Sequence, residues 1–182
     1  MSADLLDLLS ELQSLDRIPR LGYAQRGVTE PESVAEHLFH VVFLVWALAP
    51  RVDGLDVARA VDLAMVHDLA EVRFGDLPRT AAHYLPDGAK ASAEAAASRD
   101  LLAPLGEERA ALFDEYQARE TREARFVAVC DKLQLLIKAA VYERWNAGAV
   151  GEFLDRLDAF DDAGFVPIRE VIEALRRRRA AS

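Results

Sequence analysis

Residues 38–49 form the longest apolar run of the chain, and this run constrains the fold more than any other feature. Only His40 interrupts it. A helix needs about 20 apolar residues to span a bilayer, so the run is too short to do so. It therefore predicts a buried core helix, and we expect no association with a membrane.

The start and end of this helix are encoded locally. Ser33 is a good N-cap, and Glu36 three residues later completes a capping box. Pro50 ends the helix, because a proline interrupts the backbone hydrogen bonds. Apolar spacing predicts further helices near residues 3–15, 56–68, 88–103, 107–119, 122–146, 150–161 and 166–179. Residues 17–31 and 69–87 are expected to be irregular, and no alternating apolar and polar run predicts a strand, so the predicted fold class is all-α.

The charge balance excludes one class of partner. The 182 residues include 22 Lys and Arg against 31 Asp and Glu, a formal net charge of −9. A nucleic-acid polymer needs a basic protein surface, so we expect none as a partner. A small anionic substrate remains compatible, because a local cluster of arginines is enough to bind it.

The single cysteine and the N-terminal segment indicate the compartment. One thiol, Cys130, cannot form an internal disulfide, which fits a reducing environment. Residues 1–17 lack a basic region ahead of an apolar run, so they predict an amphipathic helix and no signal peptide. We therefore expect a cytoplasmic protein, with residues 1–182 in a single domain.

Polar side chains of the types that bind metals interrupt the apolar helices at four positions, His37, His67, Asp68 and Asp131. The carboxylate of Asp131 lies on an apolar helix face, where it is costly to bury without a cation, a strong donor or a metal. Two imidazoles and two carboxylates together suit Mn, Fe, Co, Ni, Zn or Mg. Taken singly, a histidine at a helix end is more often a cap or a core residue, and Asp131 is explained by pairing with an arginine.

Four successive blocks of the sequence resemble one known family. They are IPRLGYAQRGV, PESVAEH, LAMVHDLAEVRFGDLP and CDKLQLLIKA, within residues 18–146. The order His, His-Asp, Asp is similar to that of the HD-domain metal-dependent phosphohydrolases, and the blocks are similar to their 5′-deoxynucleotidase family. The resemblance implies an HD-domain helical bundle and a homodimer. It places a metal-site core at about residues 18–146, with C-terminal helices at residues 150–179 packed on it.

The resemblance also implies an activity and a ligand set. The activity is metal-dependent hydrolysis of nucleoside 5′-monophosphates to nucleoside and phosphate, with deoxyribose preferred in the best-known branch. The cofactor is a divalent metal ion, and its implied ligands are His37, His67, Asp68 and Asp131.

Four further residues match positions at or near the family's site. Glu71 matches the HDxxE glutamate and is predicted to orient the attacking water or accept its proton, or else to support a ligating histidine. Asp76 matches the GD aspartate and is predicted to hold the water or the leaving oxygen, or to cap a turn. Arg20 is predicted to bind the phosphate. Tyr23 replaces the usual Trp and is predicted to stack on the base or pack on the sugar, or to be a half-buried aromatic residue.

Two alternatives stay open at the level of function. One is an HD phosphohydrolase that acts on another nucleotide, an alarmone or a cyclic nucleotide. The other is a catalytically silent HD protein that binds a nucleotide or a metal. The sequence also leaves open the metal, the base and the sugar, and the roles of Arg26, His40, Arg73, Arg79 and His83.

Overall fold

Helices account for the regular secondary structure of the chain. The computed structural model describes residues 3–181, apart from the side chains of Ala3 and Arg79, and it contains no β-strand within that range. The prediction of an all-α fold is confirmed, whereas the role of Arg79 lies outside the described residues. The helices are α1 (Ala3–Glu11), α2 (Leu21–Ala24), α3 (Val34–Leu48), α4 (Val57–Val66), α5 (Glu71–Phe74), α6 (Arg79–Ala82), α7 (Ala89–Leu102), α8 (Glu107–Ala110), α9 (Leu112–Ala118), α10 (Arg122–Arg144), α11 (Gly151–Leu154) and α12 (Val166–Ala180).

Helices α3, α4 and α10 pack against one another at the centre of the fold. Each begins at a capping side chain: Ser33, Asp56 and Thr121 accept hydrogen bonds from backbone N–H groups three residues later. For α3 the predicted capping box is complete, because a Glu36 carboxylate oxygen accepts from the Ser33 backbone N at 2.7 Å. These caps satisfy donors that otherwise lack partners at a helix N-terminus.

Apolar side chains of the three central helices fill the core. Val41, Val45, Leu63, Phe126 and Leu133 are fully buried. Burying one such side chain stabilises the fold by about 1.5–3 kcal/mol. The few polar side chains on the same inward faces are brought together by this packing.

The two segments predicted to be irregular contain short helices. Residues 17–31 include α2, and residues 69–87 include α5 and α6, each four residues long. Four residues are too few to display the 3.6-residue apolar period on which the prediction rested. The predicted helix at 56–68 ends earlier, at Val66, so that His67 and Asp68 lie in the turn between α4 and α5.

An isolated antiparallel bridge pairs Pro19 with Ser33 and holds the segment before α2 against the start of α3. The backbone N of Arg20 donates to the Glu32 carbonyl at 2.8 Å, and that of Val34 donates to the Ile18 carbonyl at 2.8 Å. The bridge therefore places Arg20 beside the first turn of α3, which carries His37.

The prediction of one helix over residues 150–161 is wrong beyond Leu154. Helix α11 ends there, and turns follow. Guanidinium groups of α12 donate to carbonyls of this segment: Arg179 donates to the Leu154 carbonyl, and Arg176 to the Leu157 carbonyl at 2.7 Å. Leu154 and Leu157 are buried, so the apolar face of this segment belongs to the core.

Among the described residues, Val34–Arg51 is long and apolar enough to cross a membrane by length and composition alone. In this fold its inner face packs on α4 and α10. Its outer face exposes three aromatic side chains, Phe39, Phe43 and Trp46. The apolar character of α3 is thus divided between a core face and an exposed face.

Candidate active site

Three donor groups, from α3, the turn after α4 and α10, converge at the centre of the fold. One ligand atom each from His37, His67 and Asp131 lies within 4.8 Å of the others. The two Nε2 atoms are 3.3 Å apart, and Asp131 Oδ1 lies 3.2 Å from His37 Nε2. Both imidazoles are buried. This donor set fits a divalent metal ion, since imidazole nitrogen and carboxylate oxygen are ligands that such ions share.

Hydrogen bonds behind each imidazole direct its Nε2 atom to this centre. His67 Nδ1 is 2.7 Å from the Ala64 carbonyl oxygen, and His37 Nδ1 is 2.7 Å from Gln134 Oε1. Both acceptors require a proton on Nδ1, which leaves Nε2 with its lone pair when the ring is neutral. Ligating histidines in metalloproteins are oriented in this way.

Asp68 lies between this centre and Arg20. Its Oδ2 atom is 3.4 Å from His37 Nε2 and 3.5 Å from His67 Nε2. The same oxygen accepts a hydrogen bond from Arg20 Nη1 at 3.1 Å. The structure therefore brings all four predicted ligands together, with Asp68 shared between the imidazoles and the guanidinium.

The close packing of charges shifts pKa values at the centre. Burial raises the pKa of Asp68 and of Asp131, but the nearby imidazoles outweigh burial and hold both values below the usual range. Burial and Arg20 lower the pKa of His37, yet hydrogen bonds to Asp131 and Asp68 raise it overall, to about 10. The cluster thus favours a bound cation, and in its absence a proton, between the carboxylates.

Arg20 is surrounded by carboxylates at the wall of the site. Its Nη1 atom lies 3.1 Å from Asp68, 3.5 Å from Asp76 and 3.8 Å from Glu71. Asp76 also accepts from the backbone N of Leu21 at 2.6 Å, which fixes its position. These contacts hold the guanidinium in the wall of the site.

Glu71 is 4% exposed, and within the described part of the chain its Oε2 atom has no hydrogen-bond partner. Burial and then the charge of Asp68 raise the pKa of Glu71 to about 9. A carboxyl oxygen left unsatisfied beside a cluster of ligands is available to a water or a substrate, because a buried polar atom is costly to leave without a partner.

Tyr23 is placed in the wall of the site, with its ring buried. Its hydroxyl donates to the Leu135 carbonyl at 2.7 Å. The ring makes edge contacts with Tyr142 and Phe153, with centroids 5.0 and 5.3 Å away. Because the ring packs against these neighbours, Tyr23 forms part of the wall of the site. It is more deeply buried than the half-buried aromatic residue that the sequence offered as an alternative.

A cavity of about 800 Å³ opens above this cluster. Its lining includes five acidic residues, Asp68, Glu71, Asp76, Asp131 and Glu152, and five basic residues, Arg20, Arg26, Lys90, Lys132 and Arg156. The formal charges of these ten side chains cancel. A divalent cation held at the cluster makes the sum positive, which suits an anionic ligand.

Four residues were not predicted from the sequence: Lys90, Lys132 and Arg156, which line the cavity, and Gln134, which lies behind His37. Gln134 had a usable signal, because it is a polar residue in an apolar run and lies three positions after Asp131 on the same helix. Lys132 is adjacent to Asp131 in sequence. Lys90 and Arg156 have no local signal, since only tertiary packing brings α7 and the segment after α11 to this cavity.

The residues whose roles the sequence left open lie in different places. Arg26 pairs with Glu152, and its guanidinium lies 4.7 Å from the Phe153 ring centroid, at the cavity wall. His83 is exposed and lines the cavity. Arg73 pairs with a glutamate of α1 on the surface. His40 is outside the three-residue donor cluster.

Comparison with protein families gives a match over most of the chain. A family model described as HD domain matches residues 12–161. Among curated proteins, the human 5′-deoxynucleotidase HDDC2 is 31% identical over 98% of this chain and 89% of its own length. The mouse 5′-deoxynucleotidase HDDC2 is 34% identical over 78% of this chain and 71% of its own length.

Comparison with solved structures supports the same architecture. A conserved hypothetical protein from Pyrococcus furiosus superposes with a TM-score of 0.80 and 36% identity, over 94% of this chain and 99% of that one. The similarity therefore extends to the whole arrangement of helices around the cavity.

Proposed function

The chain belongs to the HD domain family, and from this premise we propose that it is a metal-dependent phosphomonoesterase acting on nucleoside 5′-monophosphates. Its products are the nucleoside and phosphate. The curated relatives named above are 5′-deoxynucleotidases, which supports a deoxynucleotide substrate. The observation that carries the proposal is the convergence of His37, His67 and Asp131 under a cavity that also presents Arg20.

The proposed ligands of the divalent metal ion are His37, His67, Asp68 and Asp131. The fit rests on the donor chemistry. The two imidazole Nε2 atoms are 3.3 Å apart, and when both rings are neutral with their protons on Nδ1, the two Nε2 lone pairs face each other. A cation between them removes this repulsion. When bound, such an ion polarises a phosphoryl oxygen and lowers the pKa of a coordinated water.

The remaining site residues bind the substrate and handle the proton. Arg20 binds the phosphate, since a guanidinium makes paired hydrogen bonds to phosphate oxygens. Glu71 orients the attacking water or accepts its proton at its Oε2 atom, which makes no hydrogen bond within the described part of the chain. Asp76 holds Arg20 and the backbone of Leu21 in place, and is positioned to bind the water or the leaving oxygen. Tyr23 forms the wall against which the sugar packs.

A phosphate-release panel tests this function directly. Ribo- and deoxynucleoside 5′-monophosphates are each incubated with the protein loaded with Mn, Co, Fe, Ni, Zn or Mg. We expect orthophosphate from the deoxynucleotides with at least one metal. Absence of phosphate from every nucleotide and metal would contradict the proposal. Pyrophosphate or a linear monophosphate from an alarmone or a cyclic nucleotide would instead indicate another HD phosphohydrolase.

We also propose a single domain that forms a homodimer in the cytoplasm and binds no nucleic-acid polymer. The family match over residues 12–161 and the packing of α12 on α10 support one domain. The exposed stripe of Phe39, Phe43 and Trp46 on α3 supports a second copy of the chain as the partner, since one such face pairs with itself about a two-fold axis. The net charge of −9 disfavours polyanions.

A further inference from the structure

A buried polar pair lies directly behind His37, on the side away from the cavity. Gln134 Oε1 is 2.7 Å from His37 Nδ1. The Nε2 atom of the same amide is 2.9 and 3.3 Å from the two carboxylate oxygens of Glu32. Gln134 is 3% exposed and Glu32 is 2% exposed. Neither residue faces the cavity, so substrate binding does not explain them.

The two contacts of the amide fix its orientation. A carboxylate only accepts hydrogen bonds, so the group that faces Glu32 must be the amide NH₂. The carbonyl end of Gln134 then faces His37 and requires a proton on Nδ1. Glu32 itself is too far to replace the amide, because its nearest oxygen is 3.8 Å from His37 Nδ1. The proton position on His37 is thus set by Glu32 through Gln134.

The charge of the Glu32 carboxylate is in turn compensated by Lys138 of α10, and His40 of α3 lies beside it. Lys138 Nζ lies 3.5 Å and His40 Nδ1 3.6 Å from its Oε2 atom. The backbone N of Glu32 donates to the Tyr142 hydroxyl at 2.7 Å. A buried carboxylate is retained at low cost only when such partners hold it.

The two candidate ligand histidines are oriented by different means. His67 donates to the backbone carbonyl of Ala64, in the last turn of the preceding helix α4. His37 depends on a side chain of another helix, and that side chain has two orientations of nearly equal shape. The amide of Gln134 therefore needs an external group to select one of them, and Glu32 supplies it.

We propose that Glu32 and Gln134 form a positioning relay that holds His37 in the Nδ1–H tautomer and thereby presents its Nε2 lone pair to the metal. This inference rests on the proposed function. Neither residue is catalytic, because neither touches the reacting atoms. The relay acts on metal affinity, and the substrate does not contact it.

The test compares three variants by metal affinity, measured by titrating Co²⁺ into the metal-free protein and following its visible absorption. Gln134→Leu removes the acceptor and the donor together, and we expect its dissociation constant for Co²⁺ to rise about 10–100-fold. Glu32→Gln removes the orienting carboxylate and should weaken binding less. The double variant E32Q/Q134E exchanges the amide and the carboxylate, so it restores both hydrogen bonds and should recover the lost affinity.

A matched control separates the relay from a general packing effect. Gln117→Leu makes the same substitution on α9, where the side chain donates to the Ala91 carbonyl away from the site. It should leave the Co²⁺ affinity unchanged. In ¹⁵N-edited proton spectra of the Zn²⁺-loaded parent, the Nδ1–H proton of His37 should show the downfield shift of a hydrogen-bonded donor, and this shift should be lost in Gln134→Leu.

The outcomes are distinguishable. Unchanged Co²⁺ affinity in Gln134→Leu overturns the relay even if the melting temperature falls. If that variant does not fold, failure of the folded double variant to bind more tightly than Glu32→Gln overturns it equally. A parent protein that binds no Co²⁺ contradicts the proposed metal enzyme itself, whereas a parent that binds Co²⁺ but releases no phosphate leaves the relay intact and contradicts only the activity.

Discussion

Individual side chains at this site serve both the chemistry and the stability of the protein. The guanidinium of Arg20 is shared among the carboxyl groups of Asp68, Glu71 and Asp76. The arrangement is stable only because each charge is shared among several partners. Substitution of one member should therefore change both the chemistry and the stability of the protein, in directions that can be separated.

Replacing Arg20 should remove phosphate binding. We expect Arg20→Ala to lower kcat/KM for a deoxynucleoside monophosphate by about 10²–10³, as for loss of one aligned donor to the reacting group. Arg20→Lys should recover only part, because an ammonium cannot form the paired hydrogen bonds of a guanidinium. Steady-state kinetics measure this effect. Arg73→Ala, on the surface, is the control and should match the parent.

Replacing Glu71 should raise stability while it lowers activity. The pKa of Glu71 is raised from 4.5 to about 9 in the folded protein. Between these two pH values the carboxyl group must take up a proton when the chain folds, so the free energy of unfolding falls as pH rises. Glu71→Gln removes this cost. We expect its melting temperature, without metal, to exceed that of the parent by about 2–4 °C at about pH 8 and to match it near pH 4.

The activity of Glu71→Gln should fall about 10²–10⁴-fold if Glu71 accepts the proton of water. The exposed Glu30→Gln serves as a control, with neither effect expected. A Glu71→Gln protein of undiminished activity would show that Glu71 only supports a neighbouring residue. The two readouts are independent, because the melting experiment contains no metal or substrate.

At the scale of the secondary-structure element, the positions where the helices begin and end determine where the candidate metal ligands lie. Helix α4 ends at Val66, and the turn that follows lets the adjacent His67 and Asp68 both reach the centre. Helix α10 begins at Thr121, which fixes where Asp131 falls along it. Caps and helix ends therefore matter for the geometry of the site as well as for stability.

Removing the cap of α10 should cost stability without changing the chemistry. The Thr121 hydroxyl accepts from the Ala124 backbone N at 3.2 Å and donates to Glu115 at 2.9 Å. We expect Thr121→Ala to lower the free energy of unfolding by about 0.5–2 kcal/mol, as measured by urea denaturation. Thr121→Ser, which keeps the hydroxyl, should lose much less. Phosphate release per folded molecule should stay at the parent value in both variants.

At the scale of the whole molecule, the net acidic charge of the protein and the charge of the cavity have opposite effects on an anionic ligand. The chain carries a net charge of −9, while the cavity lining is balanced before a cation binds. A divalent ion therefore creates a local positive spot in an otherwise repelling protein. This pattern is compatible with the proposed small nucleotide substrate.

Removing the metal should destabilise the fold. A ligand that binds only the folded state stabilises it by about 2.7 kcal/mol when its concentration is 100 times the dissociation constant. We expect the melting temperature to fall on treatment with a chelator and to recover with Mn²⁺. Asp131→Ala should show no such response, whereas the surface variant Asp62→Ala should respond as the parent does. A parent insensitive to both treatments would contradict the metal site.

Disrupting the exposed face of α3 should dissociate the proposed dimer. Phe43 lies between Phe39 and Trp46 on this face and is 53% exposed. We expect Phe43→Glu to sediment as a monomer and the parent as a dimer in analytical ultracentrifugation. Tyr84→Glu, which changes another exposed aromatic residue, should leave the mass unchanged. A monomeric parent would show that this face has no second copy as its partner.

The sequence by itself determined the helical class and the candidate ligands. Capping and apolar spacing are local, so α3 and α10 were predicted within a few residues of their observed bounds. The order of His37, His67, Asp68 and Asp131 in apolar helices was enough to propose a metal site, because burying such groups demands compensation.

Only the tertiary structure decided what surrounds those ligands. Lys90 and Arg156 reach the cavity from distant segments, and the turns after α11 are held by arginines of α12. The orientation of His37 depends on Gln134 and Glu32, which are 102 residues apart in sequence. Contacts between such distant residues follow from how the helices pack, and a local pattern carries no record of that packing.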